Sequence, residues 1–235
     1  VTAGATIQED SDFGNATSVN TYLSGPVIPR KLGLTLRGNL YRREASDLSY
    51  TNAAGAPVAV SKRGPSPVEA DIHTLGLRAD LVPHPQHNLW LDAEIYRQAY
   101  DNRSGQLGTL DTGVTFNGYS PVLRFNRDQL TLAHSGRFER GVLDSSLVRN
   151  VTETIGRTIP PGTPGKAPGS ARALENDNVI FDTKAVLTFG DHTVSVGGQY
   201  WAAEMVDGVA PAPYEQTQWA LFAEDEWRLR SDLRL

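Results

Sequence analysis

The residues of this chain that could carry chemistry are few, and the most conspicuous is an acidic run near its end. Glu224, Asp225 and Glu226 follow one another, and their carboxylates could form a metal site or an acid–base pair. In a β-strand, however, successive side chains point to opposite faces, so Glu224 and Glu226 share one face and Asp225 points to the other. The run therefore predicts two carboxylates on the polar face of a sheet, with Asp225 either near a rim of that sheet or at a shift of the strand register.

Other chemical motifs are weaker. His84 and His87 flank a predicted turn, and two imidazoles without a third ligand make a poor metal site. The segment 162–166 has the glycines and lysine of a phosphate loop, but Pro164 removes a backbone donor and no strand-to-helix setting surrounds it. No nucleophile elbow or Ser/His/Asp order occurs. The sequence predicts that the chain is not an enzyme and holds no catalytic residue, metal or cofactor of its own.

Composition limits the classes of protein further. The chain has 235 residues, 39% of them hydrophobic, and no apolar run approaches the ~20 residues of a transmembrane helix. It has no cysteine, which excludes a disulfide scaffold and thiolate metal sites. A net charge of −5 gives no electrostatic footprint for nucleic acid. Its 22 glycines and 14 prolines lie mostly in connections, as expected of an all-β protein.

The elements that would position any site are strands joined by alternately short and long connections. Short turns are predicted at residues 84–87, 140–141, 190–191 and 230–232, and a proline-marked turn at 26–29. Long polar stretches cover residues 47–68, 102–120, 156–176 and 206–214. Bacterial outer-membrane barrels have this form, with short periplasmic turns and longer extracellular loops.

About ten segments alternate between apolar and polar residues. They cover residues 1–9, 16–25, 31–45, 69–82, 88–101, 121–139, 142–155, 177–189, 192–205 and 215–229, and a further strand begins at 233. Alternation occurs both in a soluble sandwich and in a membrane barrel, so periodicity alone does not choose between them. Several segments reach the ~9–11 residues of a tilted transmembrane strand, and aromatic residues lie near strand ends. These features favour an antiparallel transmembrane β-barrel.

Four segments carry a family resemblance. Residues 6–9 and 22–28 resemble a first barrel hairpin closed by a Ser-Gly-Pro sequence, and residues 34–44 resemble a third strand. The strongest match is 216–229, with its core Ala-Leu-Phe-Ala-Glu-Asp-Glu-Trp. These segments resemble the TonB-dependent outer-membrane siderophore receptors, nearest to the colicin I receptor and ferric enterobactin receptor group.

The resemblance implies a bacterial outer-membrane receptor and transporter for ferric siderophores, of the catecholate type, energised through TonB. Residues 1–235 would be part of its barrel domain, about ten to eleven consecutive strands of a 22-strand barrel, without the N-terminal plug and the C-terminal strands. The implied partners are a ferric siderophore as transported ligand, TonB through the missing N-terminal region, outer-membrane lipid and lipopolysaccharide, and a colicin or phage. A passive porin-like channel and a soluble extracellular β-sandwich binding module are the alternatives.

The resemblance also implies ligand-binding residues. Residues 156–162 resemble an Arg-Ile-Pro-x-Gly loop whose arginine has a ligand role, which assigns that role to Arg157, although Thr158 intervenes before the isoleucine. Residues 119–127 lie where the family carries a ligand-contacting arginine, a place that either Arg127 or Arg124 could hold, with Tyr119 beside them. Guanidinium and aromatic groups suit an anionic, aromatic chelate through charge pairing, cation–π contact and stacking.

Overall fold

The computed structural model describes residues 1–9, 12–46, 50–58, 68–103, 118–230 and 232–235. These residues form thirteen β-strands. In chain order the strands are β1 (Thr2–Thr6), β2 (Ala16–Ile28), β3 (Leu32–Arg43), β4 (Tyr50–Thr51), β5 (Pro57–Val58), β6 (Ala70–His84), β7 (His87–Asp101), β8 (Tyr119–Phe138), β9 (Gly141–Arg157), β10 (Leu174–Phe189), β11 (His192–Asp207), β12 (Tyr214–Arg230) and β13 (Leu233–Arg234). Within these residues no helix is long and apolar enough to cross a membrane.

Eleven strands form one antiparallel sheet in which each strand pairs with the next. The order is β1-β2-β3-β6-β7-β8-β9-β10-β11-β12-β13, while β4 and β5 form a separate pair that the sequence analysis did not predict. Strands β6 and β7 have 15 residues each and β8 has 20, which is more than a tilted membrane crossing requires. The predicted all-β antiparallel fold is confirmed.

The two ends of the sheet differ. Tight turns at residues 29–31, 85–86, 139–140 and 190–191 lie at one end, which we call the turn rim. The connections that follow β3, β7, β9 and β11 lie at the other end, which we call the loop rim. Parts of the predicted long loops at 47–68 and 102–120 fall outside the described residues. Within the described residues, the predicted asymmetry of short turns and long loops is confirmed.

The predicted turn at 26–29 is wrong, because β2 continues through Pro26 to Ile28. Pro26 pairs with Gly33 on β3, and the register shifts between Pro26 and Ile28. On its other side β2 pairs with β1 only over residues 16–20, so a proline at 26 removes no N–H from the β1–β2 ladder. The turn itself follows, with Arg30 at φ 61°.

Alternation gives the sheet two faces of opposite character. On one face Leu36 of β3 registers with Leu77 of β6, which registers with Ala93 of β7 and then Leu130 of β8. We call this the outer face. Its leucines stay largely exposed, and buried hydrophobic side chains in the described residues are limited to Val68, Ala70, Leu123, Ala133 and Ile159. A soluble sandwich would bury such a face in a dry core, so this face is built for lipid.

Charged and aromatic groups border the apolar band of the outer face. Toward the loop rim, Arg149 of β9 binds Asp177 of β10 at 2.6 Å from Nη2 to Oδ2. Toward the turn rim, His192 stacks on Trp227 with ring centroids 5.4 Å apart. The same imidazole lies 2.8 Å from an Asp225 carboxylate oxygen. Asp225 therefore lies on the apolar face, close to a rim and with a partner.

The connection between β9 and β10 is folded rather than open. Thr158 forms a bridge with Ala171, and the amide of Ile159 donates to the carbonyl of Ser170 at 2.9 Å. Ile159 is only 2% exposed. The loop is tied to β11 by Arg172, whose Nε and Nη2 donate to the Asp207 carboxylate at 2.7 and 2.6 Å.

Because the outer face is built for lipid, we expect a charged side chain to be tolerated on the polar face of β6 and not on its outer face. Leu77→Arg places a guanidinium in the apolar band and should lower the free energy of unfolding by about 2–4 kcal/mol. Thr74→Arg, on the opposite face of the same strand, should cost much less because that face is polar. Urea unfolding of the gene product in lipid vesicles measures both, and equal losses would contradict the assignment of the faces.

The Arg172–Asp207 pair predicts a pH-dependent loop. The Arg172 guanidinium holds the pKa of Asp207 below its ordinary value, chiefly through their hydrogen bonds. The pair therefore stabilises the loop above about pH 4 and loses that effect as the pH falls through the lowered pKa. Asp207→Asn should raise hydrogen exchange at the Ile159 and Gly169 amides roughly tenfold at pH 7, as expected for hydrogen bonds to a charged group. Unchanged exchange at pH 7 would show that the pair does not hold the loop.

Candidate functional site

The polar face of the sheet, which we call the lumen face, carries a cluster of aromatic side chains near the loop rim. Tyr96, Gln98 and Tyr100 occupy alternate positions of β7 and so point the same way. The Tyr96 hydroxyl donates to Gln98 Oε1 at 2.9 Å, and Gln98 also contacts the Tyr100 hydroxyl. Across the β7–β8 pair, Phe125 meets the Tyr100 ring edge to face at 6.1 Å. The result is a supported set of aromatic surfaces.

Arg127 lies next to this cluster. Its Nη2 donates to Glu94 Oε1 at 2.7 Å, and its guanidinium carbon lies 5.8 Å from the centre of the Tyr96 ring. The side chain is still 45% exposed. Arg127 is therefore oriented by a carboxylate and an aromatic ring while remaining accessible from the lumen side.

Arg157 forms a second arginine–tyrosine pair at the base of the β9–β10 loop. It registers with Tyr119, and its guanidinium carbon lies 4.6 Å from the centre of that ring. Its Nε is buried and finds no hydrogen-bond partner among the described residues. Gly156, at φ 103°, lies close to the β8 backbone beside this pair. A residue with a side chain would not fit there, because its Cβ would lie 2.4 Å from the Val122 carbonyl oxygen.

The structure places the four predicted site residues at three positions. Tyr119, which the resemblance groups with Arg124 and Arg127, lies instead beside Arg157. Arg127 registers with Thr152, five residues before Arg157 on β9, which corresponds to roughly 16 Å along a strand. Arg124 registers with Ile155 and Ala99 on the outer face, the opposite face from Arg127. Of the two arginines proposed for one place, only Arg127 faces the lumen.

Ion pairs continue the lumen face toward the turn rim. Arg37 binds Asp92 through two hydrogen bonds of 2.8 and 2.5 Å and also contacts Glu94 at 3.1 Å. Arg78 binds Asp80 at 2.8 Å, and its guanidinium carbon lies 4.3 Å from the Trp90 ring centre. These charges are paired with one another, so the lower lumen face is polar but compensated.

Sequence reasoning missed several residues of this region. None of Tyr96, Gln98, Tyr100, Phe125 and Glu94 was singled out from the sequence as a site residue. The alternation that places Tyr96, Gln98 and Tyr100 on one face is visible in the sequence. Their proximity to Arg127 is not, because it depends on the register between β7 and β8.

The histidine and carboxylate candidates remain outside the site. His87 Nδ1 lies 3.1 Å from His134 Nε2 at the turn rim. Glu224 and Glu226 register with Ser195 and Thr193 on the lumen face. In the part of the chain that the structure describes, no group of three or more His, Asp or Glu side chains is placed to hold a metal ion.

Comparison with known proteins gives low identity and a consistent fold. No protein-family model matches the chain. It is 21% identical over 234 residues to the iron-regulated outer membrane virulence protein of two Vibrio cholerae O1 strains, covering 97% of this chain. The chain spans only 31% of the length of these curated relatives.

Solved structures of siderophore receptors match in fold. The receptor PirA from Pseudomonas aeruginosa gives a TM-score of 0.64 at 16% identity, covering 96% of this chain and 33% of that one. PirA from Acinetobacter baumannii gives 0.65 at 17%, covering 94% and 35%. A mutant of the ferric enterobactin receptor PfeA from Pseudomonas aeruginosa, in complex with enterobactin, gives 0.64 at 15%, covering 97% and 37%.

These relatives and structures are named as outer-membrane proteins and receptors, and none is named as an enzyme. They agree with the resemblance to TonB-dependent siderophore receptors that the strand sequences indicated. The eleven-stranded sheet described here has the fold of a segment of the β-barrel of outer-membrane siderophore receptors.

Proposed function

We propose that the chain forms part of the barrel wall of an outer-membrane receptor that takes up ferric siderophores of the catecholate type. One observation carries the proposal: two arginine–tyrosine pairs lie at and below the loop rim, the deeper of them beside further aromatic rings. The loop rim then faces the outside of the cell, and the turn rim faces the periplasm. The structural similarity to the solved receptors supports the fold, and the chemistry of these side chains supports the ligand class.

Each pair offers an anionic aromatic chelate two kinds of contact. A guanidinium presents several N–H donors in a plane, which suits the oxygens of a metal-bound catecholate. A tyrosine ring beside it offers a face for stacking and holds the cation by cation–π attraction.

The two pairs are arranged in depth rather than side by side. Arg157 and Tyr119 lie at the base of an outer loop, and Arg127 and Tyr96 lie deeper on the lumen face. A chelate arriving from outside would meet the first pair before the second. We propose that onward transport is energised through TonB, with a plug domain and the remaining strands supplied by parts of the protein beyond this chain.

The binding proposal predicts different roles for three arginines that differ in placement. Arg157→Ala and Arg127→Ala should each weaken binding of ferric enterobactin by about 10-fold or more, because a hydrogen bond to a charged group contributes ~1.5–3 kcal/mol. Arg124→Ala should leave binding unchanged, since Arg124 lies on the outer face. Quenching of tryptophan fluorescence in the purified receptor measures the affinity.

Equal effects of all three substitutions would contradict the site, because loss of charge alone would then explain the result. Unchanged binding in both Arg157→Ala and Arg127→Ala would remove these residues from the site.

Energised transport predicts a separation between binding and uptake. Cells that carry the complete gene should bind ferric enterobactin with or without a protonophore. Uptake of labelled iron should stop when the protonophore collapses the proton gradient that energises TonB. A passive porin-like channel, the alternative from the sequence, would continue to admit the chelate down its gradient. Sustained uptake after protonophore treatment would therefore favour the channel.

A further inference from the structure

We infer that Glu94 is a positioning residue that competes with the ligand for Arg127, and that Arg37 sets the strength of this competition. The inference rests on the proposed function and concerns the deeper of the two arginine–tyrosine pairs. It assigns specificity-determining roles to Glu94, Arg37 and Gly76, none of which belongs to the aromatic cluster itself.

Register brings the three residues into one row of the sheet. Arg37 on β3 pairs with Gly76 on β6, and Gly76 pairs with Glu94 on β7. The Arg37 side chain crosses β6 to reach Glu94 and Asp92 on the strand beyond. Gly76 leaves room for this crossing: a Cβ at position 76 would lie 2.5 Å from Arg37 Nε and 2.7 Å from its Cζ, so a larger residue forces the Arg37 side chain to move.

The Glu94 carboxylate is divided between two arginines. Its Oε2 accepts from Arg37 Nε at 3.3 Å and Nη2 at 3.1 Å, while its Oε1 accepts from Arg127 Nη2 at 2.7 Å. Arg37 is held more firmly than Arg127, since it also has two hydrogen bonds to Asp92. The carboxylates of Asp92 and Glu94 are 15% and 20% exposed, whereas the Arg127 side chain is 45% exposed.

Because Glu94 is shared in this way, Arg127 can leave Glu94 for a ligand more readily than Arg37 can. If Arg127 turns toward an anionic chelate, Glu94 keeps Arg37 as its partner and is not left as an unpaired, partly buried charge. Without Arg37, Asp92 would keep only the attraction of Arg78, with which it registers, and Glu94 would keep only Arg127. Those carboxylates would hold Arg127 more tightly and repel an anion. Arg37 therefore keeps Arg127 available, and Glu94 limits how strongly Arg127 binds.

The key test is a substitution that should improve binding. Glu94→Gln removes the competing charge, and ferric enterobactin should bind the complete receptor about three- to tenfold more tightly, the range of a single net hydrogen bond. Arg37→Met should have the opposite effect and weaken binding by a similar factor. Gly76→Val should act like Arg37→Met without changing the charge of the protein, because it expels the guanidinium. Structural damage would not produce a gain of affinity.

A matched control separates the specific contact from bulk charge. Asp80→Asn removes one carboxylate from the same face, but Asp80 pairs with Arg78 and not with Arg127. It should change the affinity far less than Glu94→Gln. In an Arg127→Gln background, Glu94→Gln should no longer tighten binding, because there is then no guanidinium at position 127 for Glu94 and the ligand to compete for. Heat-modified mobility of each variant in electrophoresis confirms folding, and Arg37→Met serves if Gly76→Val does not fold.

The outcomes divide cleanly. Tightening by Glu94→Gln that disappears in the Arg127→Gln background supports the inference. Tightening that persists in that background, or that Asp80→Asn reproduces, overturns it in favour of bulk charge. Unchanged or weaker binding in Glu94→Gln also overturns it, while the proposed function stands as long as the wild-type receptor binds the chelate. Absence of binding by the wild-type receptor contradicts the proposed function itself.

Discussion

The period-two alternation of long antiparallel strands is the constraint on which the rest of this structure depends. The interior strands are hydrogen-bonded to a neighbour on each side, as a sheet in lipid requires, whereas in the described residues β2 beyond residue 20 and most of β12 are paired on one side only. The side chains are then divided by parity into an apolar set and a polar set. Leu36 and Arg37 are neighbours in sequence and belong to opposite environments. Glu94 likewise lies on the lumen face between Ala93 and Ile95 of the outer face.

The alternation of apolar and polar residues along each strand also made much of the molecule predictable. The leucines of β3, β6 and β7, the tight turns and the position of Asp225 near a rim all follow from short-range pattern. Pro26 did not follow, since its tolerance depends on how far β1 extends along β2. The site was only half predictable. Arg157 lies at a loop that the resemblance identified, whereas Arg124 and Arg127 could be separated only by the register of β8 against its neighbours.

The ion pairs between Arg37 and Glu94 show why contacts that depend on strand register cannot be predicted from a single sequence. Arg37 and Glu94 are 57 positions apart, and a third strand lies between them. Nothing local to either residue indicates a contact. The link is Gly76, which in sequence resembles any other glycine in a strand and in the structure is the gap through which an arginine crosses. Once the strand pairing is known, a glycine that registers with charged residues on both neighbouring strands therefore indicates a side chain that crosses the strand between them.

The two arginine–tyrosine pairs differ in how their charge is balanced, and the difference follows their depth. Arg157 lies by Tyr119 with a buried Nε that has no acceptor among the described residues, so capture there requires no partner to be displaced from that atom. Arg127 is bound to Glu94, so binding there is an exchange of one anion for another. Such an exchange can be reversed, because Glu94 stays in place and can pair with the Arg127 guanidinium again. If the proposed chelate binds at Arg127, the Glu94 carboxylate would favour its onward release, whereas an unpaired cation would retain it.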